Sequence, residues 1–180
     1  VGTEMGIARI WKAYLFHTLV DQYGDTPYFQ AGRGFLDGVV RPAYDDDQAI
    51  YMDMLNELEE GIAQIGGSST LGGADLVFNG DTNKWKKFGN SLMLRLAMRI
   101  KNVDPSASNA WAQKAINGGT MSSSDDTAFM THTDGPTNLN RNAWGIYQPR
   151  YSNARIGATL YDWLAINNDP RLNILADPTG

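Results

Sequence analysis

The chain has 180 residues, a length typical of one domain with a sizeable core, and 42% of its residues are apolar while 19% are charged. Its 20 acidic and 15 basic residues give a net charge of −5, which argues against nucleic-acid binding because that requires a concentrated positive surface. The absence of cysteine excludes disulfides, thiol nucleophiles and cysteine-bound zinc within this chain.

The first predicted helix covers residues 4–23. Apolar and aromatic residues follow a helical spacing along it, with a predicted buried face of Ile7, Trp11, Tyr14, Leu15 and Thr18. Further apolar residues on its other sides indicate an inner helix. The helix should end at the sequence YGDTP, residues 23–27, because Gly24 permits a left-handed turn and Pro27 prevents continuation. We interpret this elbow as structural.

Two longer helices are predicted next. One begins at the acidic run 45–47, whose carboxylates suit a helix N-terminus, and ends before Gly66. The other covers 82–100, with Asp81 or Thr82 as its cap. The acidic stripe of the earlier helix and the basic C-terminal end of the later one, which includes Arg95 and Arg99, predict complementary packing. Exposed pairs of this kind would contribute only about 0.2–1 kcal/mol each.

Two shorter helices complete the predicted elements. One opens with Asp104 as cap and Pro105 in its first turn, and the other covers 153–166. A single strand fragment is predicted at 76–78. Residues 24–44, 66–81 and 118–152 show no clear periodicity, yet they contain many aromatic residues. Since disordered linkers are generally poor in aromatics, we expect ordered loops over a helical scaffold.

Four segments in chain order carry a resemblance to a known family. They are FHTLVDQYGDTPYFQA (16–31), PAYDDDQAIYMDMLNELEEGIAQI (42–65), DLVFNGDTNKWKKFGNSLMLRLAMRI (75–100) and YDWLAINNDPRLNILADP (161–178). Together they resemble the SusD/RagB family, nutrient-binding lipoproteins of the Bacteroidetes outer membrane, and within it the SusD-like 2 branch. The chain resembles a central portion of the longer family members.

The resemblance implies an all-α fold of paired helices similar to tetratricopeptide repeats, here as a single domain over residues 1–180. It also implies a surface-exposed location at the outer membrane, with a lipid anchor upstream. The implied role is non-catalytic capture of a glycan or similar nutrient for a TonB-dependent, SusC-like transporter. No cofactor would be needed.

The segment 138–153, NLNRNAWGIYQPRYSN, is the predicted ligand-binding loop. Sugars pack their C–H faces on aromatic rings and bond their hydroxyls to polar side chains. Trp144, Tyr147 and Tyr151, together with Arg141 and Asn142, supply that combination. The alternative is that these aromatics only anchor a long loop to the helices, since large aromatic residues often serve for burial alone.

No catalytic or metal-binding pattern stands out. Nucleophile, P-loop and dinucleotide motifs are absent, and His17 and His132 have no metal-ligand spacing. We therefore expect no enzymatic activity and no metal site, and we expect the aspartates at 45–47 to cap a helix. A helical-repeat scaffold that binds only another protein remains the alternative function.

Overall fold

The computed structural model describes residues 2–132 and 155–176. In this part of the chain the regular structure is helical, with one isolated β-bridge between Thr26 and Asp45. The helices are α1 (Gly2–Tyr23), α2 (Gly34–Asp37), α3 (Asp47–Gln64), α4 (Thr82–Arg99), α5 (Pro105–Gly118), α6 (Ala158–Ile166) and α7 (Leu172–Leu175). The predicted all-α class is confirmed.

The chain divides into two compact units, residues 1–130 and residues 131–180. The first contains α1–α5 and the second contains α6 and α7. A single domain over residues 1–180 stays a prediction.

Helices of the first unit pack as antiparallel neighbours. Thr3, near the start of α1, donates to the Gly66 carbonyl just beyond α3 at 2.5 Å. Tyr51, near the start of α3, is bonded to Asp21 near the end of α1 and accepts from Arg99 at the end of α4. Each pair joins the start of one helix to the end of the other, so α3 runs antiparallel to both α1 and α4.

The core lies between these helices and is mainly aliphatic. Its largest fully buried side chains come from α1, α3, α4 and the segment after α3, and they are Ile10, Ile50, Met54, Leu55, Leu58, Ile65, Met93 and Leu96. An aromatic cluster adjoins it, in which the Trp85 ring meets those of Phe78 and Phe88 edge to face at 5.2 and 5.8 Å. Edge-to-face geometry is the arrangement that aromatic quadrupoles favour.

Helix α1 buries a different face from the predicted one. Of the predicted set only Ile7 is buried, while Trp11 and Leu15 are 37% and 49% exposed. The buried face is formed by Thr3, Gly6, Ile7, Ile10, Ala13, His17 and Val20. The physical reason is close packing: Gly6 meets the Gly61 backbone of α3, so small residues rather than large ones determine the contact.

The predicted strand fragment at 76–78 was wrong, since these residues form a turn. Asp75 holds this turn, because its carboxylate accepts hydrogen bonds from the backbone N–H groups of Val77, Phe78 and Gly80 at 2.9–3.1 Å. These hydrogen bonds to the Asp75 carboxylate thus stabilise a turn in place of the predicted strand.

The acidic stripe of α3 faces mainly α1 rather than the basic end of α4. Glu57 forms ion pairs with Arg9 at 3.4 Å and with Lys12 at 3.1 Å, and Glu60 also pairs with Arg9. Arg99 of α4 pairs with Asp21 of α1. The prediction that the acidic stripe of α3 packs against the basic end of α4 was therefore wrong, because the cations next to this stripe belong to α1.

In the second unit, the helix predicted from residue 153 begins at Ala158. Gly157 is extended, with φ −65° and ψ 137°, and its carbonyl accepts from Leu160 and Tyr161. The helix ends at Ile166 as predicted. Beyond it, Asp169 and Arg171 form an ion pair at 2.5 Å, and the hydrogen bond from Arg171 lowers the pKa of Asp169 to about 2.

Candidate functional site

A pocket of about 470 Å³ lies where the end of α1, the start of α3 and the end of α4 meet. We call it the α1–α3–α4 pocket. Its apolar lining is Val20, Met52, Ile100 and Val103, and its polar lining is Asp21, Asp47, Gln48, Tyr51, Arg99 and Asp104, with Gly24 completing the wall. The volume lies within the range of about 300–1,000 Å³ that is usual for small-molecule sites.

The elbow after α1 positions one wall of this pocket. Gly24 has φ +70°, and its N–H donates to the Val20 carbonyl at 2.9 Å, which ends α1 as predicted. The Asp25 carboxylate accepts from the Asp47 N–H at 3.1 Å, and Asp45 accepts from the Tyr28 N–H at 2.8 Å. The elbow is structural, and it also fixes the start of α3 beside the end of α1.

Three side chains from three helices form a hydrogen-bonded network in the pocket. The Tyr51 hydroxyl donates to the Asp21 carboxylate, and Arg99 Nε donates to the Tyr51 oxygen at 3.2 Å. Arg99 Nη2 lies 3.0 Å from Asp21 Oδ1. An exposed ion pair contributes only about 0.2–1 kcal/mol to stability. The main consequence is geometric, because each group fixes the orientation of the other two.

The Asp21–Tyr51–Arg99 network should raise the pH at which the Tyr51 hydroxyl ionises. Burial, together with the hydrogen bond to Asp21, raises the pKa of Tyr51 to about 12, compared with an ordinary value of about 10. We expect alkaline absorbance titrations of the wild type and of Tyr51→Phe to coincide near pH 10 and to separate near pH 12. Curves that already separate near pH 10 would contradict the network.

Two further polar side chains of the lining lie outside this network. Asp47 and Gln48 lie in the first turn of α3 and are exposed. Within residues 2–132 and 155–176 neither side chain takes part in a hydrogen bond or ion pair, because Asp46 provides the helix cap by accepting from Ala49 at 3.0 Å. The capping role predicted for the acidic run therefore falls to Asp46, while Asp47 lines the pocket and has no capping hydrogen bond among the described residues.

The sequence-predicted ligand residues Arg141, Asn142, Trp144, Tyr147 and Tyr151 lie outside the described residues. The structure instead reveals a pocket that sequence reasoning missed. Arg99 was the one signal, as a cation predicted to pack against the acidic stripe of α3. It pairs internally with Asp21, although its partner was expected on α3.

Metal-binding clusters are absent from the described residues. None of the described helices is long and apolar enough to cross a membrane. His17 contacts its own helix, with Nδ1 2.5 Å from the Tyr14 carbonyl oxygen. The first unit is thus an all-α frame in which α3 runs antiparallel to α1 and α4 and a ligand-sized pocket lies where the three helices meet.

The chain belongs to the SusD-like_2 family, described as starch-binding associating with outer membrane, whose profile matches residues 2–180. The family resemblance predicted from the sequence is confirmed. No curated protein shows significant similarity to the chain.

Several solved structures are similar to the chain, and SusD-like proteins are among them. A chitin-binding protein is 35% identical with a TM-score of 0.86, over 99% of this chain and 37% of that one. A SusD-like protein from Bacteroides thetaiotaomicron is 31% identical with a TM-score of 0.79, over 92% and 34% of the two chains. A chitin-binding SusD homologue from Flavobacterium johnsoniae is 26% identical with a TM-score of 0.81, over 93% and 35%. The chain spans about a third of the length of these proteins.

Proposed function

We propose that the chain is part of a non-catalytic glycan-binding protein that acts in nutrient uptake at the outer membrane. The observation that carries this proposal is the family match over residues 2–180, under a description that names starch binding and the outer membrane. The 35% identity to a chitin-binding protein over 99% of this chain supports a carbohydrate ligand. Binding of this kind needs no cofactor and no reacting group.

The proposed partner is a TonB-dependent, SusC-like transporter that receives the glycan from a surface-exposed, lipid-anchored protein. Membership of a family described as associating with the outer membrane supports this partner and this anchor. A protein partner is also favoured by apolar side chains on the α1–α3 connection, where Phe35, Leu36 and Val40 are 97%, 78% and 82% exposed. Large exposed apolar patches are typical of protein interfaces.

The loop 138–153 is our proposed glycan contact, through Trp144, Tyr147 and Tyr151 with Arg141 and Asn142. Its support is chemical, because aromatic faces next to amide and guanidinium groups match the mixed surface of a sugar. We expect Trp144→Ala and Tyr147→Ala each to weaken binding of a chitin or starch oligosaccharide about tenfold, since each removes one apolar face worth about 1.4 kcal/mol. Isothermal titration calorimetry measures this change.

The matched control is Phe35→Ala, which truncates an aromatic side chain that is already 97% exposed. It should leave both the fold and the affinity unchanged. If Trp144→Ala and Tyr147→Ala bind as tightly as the wild type, the loop does not contact the glycan.

The second candidate is a helical scaffold that binds protein alone, favoured by the same exposed side chains of the α1–α3 connection. It predicts that Phe35→Ala weakens capture of a transporter, while no oligosaccharide raises the melting temperature of the wild type. A melting temperature that rises with oligosaccharide concentration would exclude this candidate, because only a ligand of the folded state stabilises it.

A further inference from the structure

We infer that the α1–α3–α4 pocket is a binding subsite for a neutral sugar residue, in addition to the contact residues proposed in segment 138–153. The inference rests on the proposed function for its ligand class, but the location follows from the pocket itself. Its volume of about 470 Å³ is ligand-sized, and its walls come from well-packed helix ends rather than from one loop. Sites on such elements keep their geometry before the ligand binds.

The lining has the two kinds of surface that a sugar ring requires. Val20, Met52 and Ile100 provide aliphatic surface from three different elements, against which ring C–H groups can be buried. Polar groups of the same pocket offer both donors and acceptors: Arg99 donates, Asp47 accepts, and the Gln48 amide does both. A sugar hydroxyl also donates and accepts, so it can use either kind of group.

Charge selects against anionic ligands. The residues that line the pocket include three aspartates, Asp21, Asp47 and Asp104, and one arginine, Arg99. The guanidinium is already paired with Asp21 at 3.0 Å. An incoming carboxylate or sulfate would therefore meet excess negative charge without a free cation, and like charges repel. A neutral polyol avoids this repulsion.

The Asp21–Tyr51–Arg99 network preorganises the donors. Because Tyr51 and Arg99 are bonded to Asp21, their side chains need little reordering when a ligand arrives. Among the described residues, the side chains of Asp47 and Gln48 take part in no hydrogen bond or ion pair; Asp47 bonds Asp25 only through its backbone N–H. They can bond a sugar without breaking an existing contact.

The test measures both where a sugar binds and how tightly it binds. Chitotriose and maltotriose are titrated into isotope-labelled chain, and amide shifts are followed by nuclear magnetic resonance. We expect the amides of Gly24, Met52 and Val103 to shift with saturation. The double variant Asp47→Ala/Gln48→Ala should weaken this site about tenfold, through two lost hydrogen bonds. The matched control is Asn109→Ala/Gln113→Ala, two exposed polar residues of α5, and it should bind as the wild type does.

A second variant tests the pocket without removing polar groups. Val103 lines the pocket and is 78% exposed, so Val103→Trp should fold normally while its larger side chain obstructs the pocket and abolishes the shifts of the Gly24 and Met52 amides. A glucuronate oligosaccharide should cause no shifts at the amides of Gly24, Met52 and Val103 in the wild type.

The outcomes separate the two proposals. If a sugar binds but the pocket amides do not move and both pocket variants bind as the wild type, the subsite is overturned while the proposed function stands. Equal pocket shifts from glucuronate and neutral sugars would overturn the selection for a neutral ligand. If no sugar binds the folded wild type at all, both proposals fail.

Discussion

Replacing Asp75 with alanine is expected to lower the free energy of unfolding by about 3 kcal/mol, because it leaves several buried donors without an acceptor. Asp75 is only 8% exposed. Its carboxylate accepts from the Trp85 indole N–H at 2.6 Å and from the N–H groups of Val77, Phe78 and Gly80. Trp85 is itself 3% exposed, so water does not easily replace the lost acceptor.

Urea denaturation of the wild type and of Asp75→Ala measures the effect. Asp125→Ala is the matched control, because Asp125 is exposed and should change stability by less than about 0.5 kcal/mol. Asp75→Asn keeps one acceptor oxygen, so its free energy of unfolding should lie between those of Asp75→Ala and Asp125→Ala. Equal stability of Asp75→Ala and Asp125→Ala would contradict the role of this carboxylate.

The same carboxylate predicts a pH dependence. Burial alone would raise the pKa of Asp75, but the hydrogen bonds from Trp85 and the turn outweigh it and lower the pKa. Because the pKa is lower in the folded state, the stabilisation is fully present above the unfolded value of about 4 and is lost as pH falls through the folded value. The stability difference between wild type and Asp75→Ala should therefore shrink on acidification below about pH 4.

Replacing Gly6 with alanine is expected to lower the free energy of unfolding by about 2 kcal/mol, against the usual preference of helices for alanine. A Cβ atom at Gly6 would lie 2.9 Å from Ile65 Cγ1 and closer still to the Gly61 carbonyl oxygen of α3. The carbonyl is backbone and cannot rotate away, so α1 and α3 must separate. That separation loosens the packing around Ile10.

Gly2→Ala is the control within the same helix, since the nearest atom to its added Cβ is the Gln64 carbonyl oxygen at an ordinary 3.6 Å. The Gly2→Ala substitution should leave the free energy of unfolding unchanged or raise it slightly. Thermal and urea unfolding of the two variants give the comparison. If Gly6→Ala is as stable as Gly2→Ala, the close crossing of α1 and α3 is contradicted.

Features set by neighbouring residues could be predicted from the sequence. Asp104 was predicted as a cap, and Asp81 was one of two predicted caps, with Thr82 as the other. Both aspartates accept from backbone N–H groups two or three residues ahead. Gly24 was recognised as the end of α1 because a positive φ favours glycine. Such signals lie within a few residues, so no knowledge of the fold is needed.

Features set by distant partners could not be predicted. The buried face of α1 depends on Gly6 meeting Gly61, and no periodicity in α1 itself encodes that contact. Likewise, Tyr51 lies 30 residues from Asp21 and 48 from Arg99, so their network appears only once three helices are packed. The pocket was missed for this reason, while the predicted loop residues from Arg141 to Tyr151 stay a prediction.

The most direct test of the account is calorimetric titration of the wild-type chain with neutral chitin and starch oligosaccharides, with circular dichroism confirming the helical fold of the same sample. We predict saturable binding of at least one of these glycans without its hydrolysis. A folded chain that shows no saturable binding of any neutral glycan, or that cleaves the glycan it binds, would contradict the account.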